Sequence, residues 1–252
     1  MKEITKVLKE KINLIDSIEE RLEYLKDKYV GETAYIVTCG PSLASHDANK
    51  LREVLKDKLV FSIKQAYNVV ANETDFHLLN TYNLSDYKWN SDSIVYWTLS
   101  KSFAGEQLDR ISKMGVPIDL FIPVINPPFL DGAQTTQATC NFDDFYMMET
   151  HTEVKWGRGM MYEMAIPLAL LLGCTNLVIV AWDNETNGQS KSGWNHFYNH
   201  DVVKTTKPAN GEIEELLYST DKLYDWLQSK GIGASIVSDI SLVSNKFPRI
   251  EL

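Results

Sequence analysis

Two histidines four residues apart, His196 and His200, stand in the densest polar and aromatic run of the chain, Trp194-Asn-His-Phe-Tyr-Asn-His-Asp201. On a helix they would share one face. Imidazole titrates near neutral pH, so the pair suits general acid–base work. The same spacing suits metal ligation, although no firm third ligand accompanies it, and it also suits aromatic packing with solvated histidines. Tyr198 lies between the two and joins the candidates for ligand contact.

A second constellation is Cys39-Gly40-Pro41-Ser42-Leu43. Gly40 lets backbone come close to a ligand, Pro41 stiffens the turn, and the N–H groups of Ser42 and Leu43 suit a phosphate. It is neither a G-x-G-x-x-G fingerprint nor a Walker A loop, and a simple strand-to-helix turn would look the same. Asp183-Asn-Glu185 suits a ribose hydroxyl, a metal or a loop backbone, and Asp183 also suits an ordinary turn cap. Lys64, Gln65 and Asn80 offer polar groups where strands are expected to end. Arg158, between Gly157 and Gly159, suits bidentate contact with phosphate or carboxylate, or simple solvation. No Gly-x-Ser-x-Gly elbow and no His-Glu-x-x-His occurs, so hydrolase and zinc-protease chemistry lacks support.

The elements that must position these groups follow from periodicity. Residues 1–28 carry apolar side chains at helical spacing, which predicts one amphipathic helix that docks on the domain or forms a dimer contact. Strands are expected at residues 33–38, 59–64, 75–80, 93–98, 117–123, 176–182 and 234–238. Helices are expected at 48–56, 159–172 and 212–230. Strands alternating with helices predict an α/β, Rossmann-like, mainly parallel sheet with helices on both faces. Ligands of such sheets bind beyond the carboxyl ends of the strands, where the loop after β-strand one, Lys64, Asn80 and Asp183 all fall. The division expected is an N-terminal helix over 1–30 and one nucleotide-binding domain over 31–252. Segments 124–157 and 184–211 read as irregular, lid-like loops.

Composition narrows the partners. The chain has 252 residues, 25 basic and 34 acidic side chains, and a net charge of -9. That charge argues against a broad nucleic-acid footprint, yet it permits a small anion held by a few local donors. Cys39, Cys140 and Cys174 stand far apart, which fits reduced thiols in the cytoplasm better than a disulfide or metal framework. The longest apolar run, Ala165–Leu172, is far short of the roughly 20 residues of a membrane span.

Four segments together resemble the bacterial sialyltransferases of glycosyltransferase family 42, and the pterin-pyrophosphokinase-like proteins that share a Gly-Pro-Ser-Leu opening. They are Tyr35-Ile-Val-Thr-Cys-Gly-Pro-Ser-Leu43, Val60-Phe-Ser-Ile-Lys-Gln65, Gly159 through Trp182-Asp183, and Asn195-His-Phe-Tyr-Asn-His200. The resemblance runs over about residues 33–245. It implies a Rossmann-like, glycosyltransferase-A-like domain with a lid, a CMP-activated sugar-acid donor, and His200 as general base. The family places Asn where this chain has Cys39 and Lys64, and Ser where it has Arg158, while Asn80 matches. No counterpart stands at Glu185 for a family tyrosine.

The expectation is therefore inverting transfer from a nucleotide-sugar, CMP-linked in the first instance, to a glycan or small hydroxyl acceptor, without a metal. His200 and His196 would handle protons. Cys39, Gly40, Pro41, Ser42, Lys64, Gln65, Asn80, Arg158, Gly159, Asp183 and Tyr198 would hold the donor. One alternative is a pyrophosphokinase acting on a small hydroxymethyl heterocycle, with Mg²⁺ held by Asp183 and Glu185. The other is a non-catalytic nucleotide-binding module. A homo-oligomer is left open.

Overall fold

The computed structural model describes residues 1–80, 87–100, 104–125, 140–150, 152–155, 159–184, 196–198 and 212–252. The strands are β1 (Thr33–Val37), β2 (Leu59–Ile63), β3 (Phe76–Asn80), β4 (Ile94–Ser100), β5 (Leu120–Ile125), β6 (Val154–Lys155), β7 (Asn176–Val180) and β8 (Gly233–Val237). They form one sheet in the order β6-β5-β4-β3-β2-β1-β7-β8, and every pairing is parallel. The fold is Rossmann-like α/β. The chain builds outward from β1 through β6 on one side, then returns to place β7 and β8 on the other. The switch point therefore lies between β1 and β7.

Parallel strands are buried on both faces, and the register shows which side chains share each face. Ile36, Phe61, Phe76 and Ile94 are register partners across four strands and face one large core. Helices α1 (Lys2–Ile12) and α2 (Ile18–Leu25) contribute Leu8, Ile12, Leu22 and Leu25 to that core. The opposite face carries Val37, Val60 and Val180 against α3 (Ala48–Leu55) and α4 (Tyr67–Val70). Farther along that face, Leu79, Val95 and Trp97 pack with Ile111 of α5 (Ala104–Lys113). Among the described residues, no helix is long and apolar enough to cross a membrane.

Several elements differ from the expected ones. The single helix over 1–28 is two. It breaks because Ser17 turns extended and caps α2 by accepting from the Glu20 N–H at 3.3 Å. Helix α1 is pinned to the amino edge of the sheet: Lys2 Nζ lies 2.5 Å from Asp75, and Lys9 Nζ lies 3.1 Å from Asp119. These two carboxylates also accept the N–H groups of Val60 and Val95 at 2.9 and 2.7 Å. Residues 124–157, expected to be irregular, contain a 3₁₀ turn at Phe142–Tyr146, the short helix α6 (Met147–Thr150) and β6. Aromatic burial of Phe142 and Phe145 against Trp226 orders this stretch despite its polar composition.

The helix expected from 159 opens with a π-helical turn, Met161–Ala165, before α7 (Ile166–Leu171). Pro167 has no N–H for the carbonyl four residues back and crowds it, so the turn before it widens. Helix α8 (Glu212–Ser229) then leads to β8.

Candidate functional site

The site is built where β1 and β7 part. Gly40 follows β1, and Pro41 opens a 3₁₀ turn, Pro41–Ser45, as a residue with fixed φ should. Ser42 turns inward and donates to Asp183 twice, from its backbone N–H and from its hydroxyl, each at 2.8 Å. Ser238, just after β8, donates its hydroxyl to the same carboxylate at 2.5 Å. Asp183 is 1% exposed. It thus closes the ends of three strands, β1, β7 and β8, around one buried charge held by three donors.

Gly40 is required for a reason other than ligand approach. A Cβ built there would lie 2.1 Å from the Ala181 carbonyl oxygen and 2.4 Å from Asp183 Oδ2. The Ala181 carbonyl is also the acceptor for the Gly40 N–H at 3.1 Å and the Thr38 hydroxyl at 2.5 Å. Turning that carbonyl toward β1 puts Ala181 in the left-handed region, at φ 60.

Lys64 ends β2 on the same edge, also left-handed, at φ 47. Of the four non-glycine residues with positive φ among the described residues, Lys64, Ala181 and Asn184 sit at this carboxyl edge. Backbone held there costs about 1–3 kcal/mol per residue and tends to collect at functional sites. Lys64 is half-buried and makes no ion pair with a described residue. Loss of hydration pushes its pKa down, against the opposing pull of Cys39 and Glu163. Glu163 comes from the π-helical turn.

Cys39 is turned inward. Its thiol donates to the Ile63 carbonyl at 3.1 Å, and burial pushes its pKa up to about 11. It links the ends of β1 and β2. Gln65 is buried in the 3₁₀ turn Lys64–Ala66, and Asn80 is half-buried at the end of β3 opposite Thr98.

The described part of the histidine-rich run is brought to the loop. The Phe197 N–H donates to the Cys39 carbonyl at 3.1 Å, and Phe197 and Tyr198 pack on the core beneath β1. His196 stacks on Tyr198 with ring centroids 4.8 Å apart. Burial raises the Tyr198 pKa, with Cys39 and Tyr87 adding to it. Gly159, at φ 89, starts the helix and accepts the N–H groups of Tyr162 and Glu163. His200, Arg158 and Glu185 lie outside the described residues, as do most of the two expected lid segments.

Sequence reasoning missed four contributors. Ser238 is visible only as a polar residue after an apolar strand. Glu163 is hidden in an apolar helix. His77 sits in the middle of β3, fully buried, stacked flat on Tyr67 at 4.0 Å and flanked by Tyr87 and Trp89 at 4.8 and 5.6 Å. Tyr96 of β4 buries its hydroxyl with no hydrogen-bond partner among the described residues. A cavity of about 510 Å³ lies elsewhere, between α2 and α6 at the amino end of the sheet, and contains none of these residues.

Together the described groups can do three things. They hold the loop after β1 at a switch point, place Lys64 beside it, and bring to it an aromatic segment that carries His196. Among the described residues, no group of three or more His, Cys, Asp or Glu side chains is gathered as a metal site. The chain matches no protein-family model and no curated protein.

Proposed function

We propose that this chain is a nucleotide-sugar-dependent glycosyltransferase whose donor lies at the carboxyl edge between β1 and β7. The observation that carries the reading is Lys64: a half-buried cation, free of ion pairs with described residues, beside the Gly40–Ser42 loop at a switch point. In the reaction an acceptor hydroxyl gives its proton to His200 as its oxygen bonds to the anomeric carbon. The anomeric carbon–oxygen bond to phosphate breaks, and its electron pair leaves on the nucleotide. Lys64 and Arg158 stabilise that leaving charge, which is where a preorganised cation contributes most.

Asp183 bears on the choice of chemistry. A Mg²⁺-dependent pyrophosphokinase would need its carboxylate as a metal ligand, yet Asp183 is 1% exposed and already accepts three hydrogen bonds, from Ser42 and Ser238. That supports a metal-independent transfer. The test is an assay of transfer from a panel of CMP-, UDP- and GDP-sugars with and without a chelator. Metal-independent turnover that falls by about 10² or more in His200→Ala is the expected result. Activity only with ATP and Mg²⁺ would replace this reading with the pyrophosphokinase, and absence of all turnover would replace it with a binding module.

A further inference from the structure

We infer that His77 is the positioning residue that holds Lys64 in its ligand-facing conformation; the inference rests on Lys64 being the site's cation. His77 Nε2 lies 3.2 Å from the Lys64 carbonyl oxygen, which can only accept, so Nε2 carries the proton. The bond reaches from the middle of β3 to the residue that ends β2. It grips Lys64 where its backbone is left-handed, a conformation that a lysine does not choose by itself. The ring cannot turn away. It is fully buried, stacked on Tyr67 within 7° of parallel, and closed in by Tyr87 edge-on and by the tilted ring of Trp89.

The ring is also held neutral. Burial lowers its pKa to about 3, so the second nitrogen, Nδ1, carries no proton. Among the described residues that nitrogen has no hydrogen-bond partner, and neither has the hydroxyl of Ser62, its register partner on β2. An apolar residue would fill this place without an unpaired Nδ1, but it would take the donor away from the Lys64 carbonyl. What the histidine adds is a single donor aimed at the Lys64 carbonyl. The carbonyl fixes the backbone at Lys64, and the backbone fixes where the ammonium starts.

Three variants test this in the full chain. His77→Phe keeps the stack and removes the donor, His77→Gln restores a donor near the Nε2 position, and His77→Asn cannot reach it. One readout needs no ligand: the titration of the Lys64 amine, followed by NMR of the reductively methylated protein. Cys39 and Glu163 face this amine in all variants. The second readout is the affinity for CMP. His77→Phe should shift the Lys64 titration and weaken CMP binding by about tenfold, and His77→Gln should restore both. A folded His77→Phe with unchanged Lys64 titration overturns the inference. If His77→Phe does not fold, equal behaviour of His77→Gln and His77→Asn overturns it instead. An altered titration with no CMP binding even in the unmodified chain leaves His77 as the holder of Lys64 and removes the nucleotide-sugar reading.

Discussion

Ser42 gives both of its hydrogen-bond donors to one partner, the carboxylate of Asp183, at 2.8 Å each across 141 residues of sequence. This pair fixes the loop after β1 to the end of β7. Asp183→Ala would orphan the Ser42 N–H and the hydroxyls of Ser42 and Ser238 in a buried site. Each orphaned buried donor costs on the order of 1–3 kcal/mol, so a loss of about 3–5 kcal/mol in total is expected. Urea unfolding measures it. A loss within about 0.5 kcal/mol, as surface substitutions show, would contradict the anchoring role.

Gly40→Ala tests the close approach of the same two strand ends. Gly40 has an ordinary φ of -64, so the penalty comes from the clash of the new Cβ with the Ala181 carbonyl and Asp183. Overpacking against backbone should cost roughly 2–3 kcal/mol. It should also weaken ligand binding, because the Ser42–Asp183 pair must separate. Unchanged stability in the alanine variant would show that the strands part more easily than this packing requires.

His77 makes stability depend on pH in a defined direction. Its folded-state pKa of about 3 lies below the ordinary 6.5, so between these values the unfolded chain binds a proton that the folded chain refuses. The stability that comes from keeping the ring neutral is complete above about pH 6.5 and drains as the pH falls toward 3. The slope contributed is at most about 1.4 kcal/mol per pH unit. Urea midpoints of the unmodified chain and His77→Gln, compared from pH 6.5 to pH 4.5, should diverge in that sense. Parallel curves would mean that the ring is protonated, or open to water, in the folded protein.

The sheet was legible because its strands are apolar runs of the right length separated by helical periodicity, and the switch-point edge followed from their alternation. Gly40 and Ser42 were legible as a loop, but the reason for Gly40 was not. A ligand and a neighbouring strand both demand a residue without Cβ, and only the place of Ala181 and Asp183 separates the two. Asp183 read as a ligand-facing carboxylate because its partners, Ser42 and Ser238, are far away in sequence. The break at Ser17 is a cap that overrides an otherwise continuous apolar stripe. His77 was invisible because a histidine in a β-strand carries no periodic signal; its meaning comes from the carbonyl it reaches and from three rings brought to it by the fold.

Under the proposed function a nucleotide binds at the β1–β7 switch point with Lys64 as its counter-charge. Calorimetric titration of CMP and a CMP-sugar into the unmodified chain and Lys64→Met, each with chelator present, tests it most directly. Metal-independent binding that weakens roughly 10- to 100-fold in Lys64→Met is expected, the range for a charge-assisted hydrogen bond. Equal affinity in the two proteins, or no binding of any nucleotide to the unmodified chain, would contradict it.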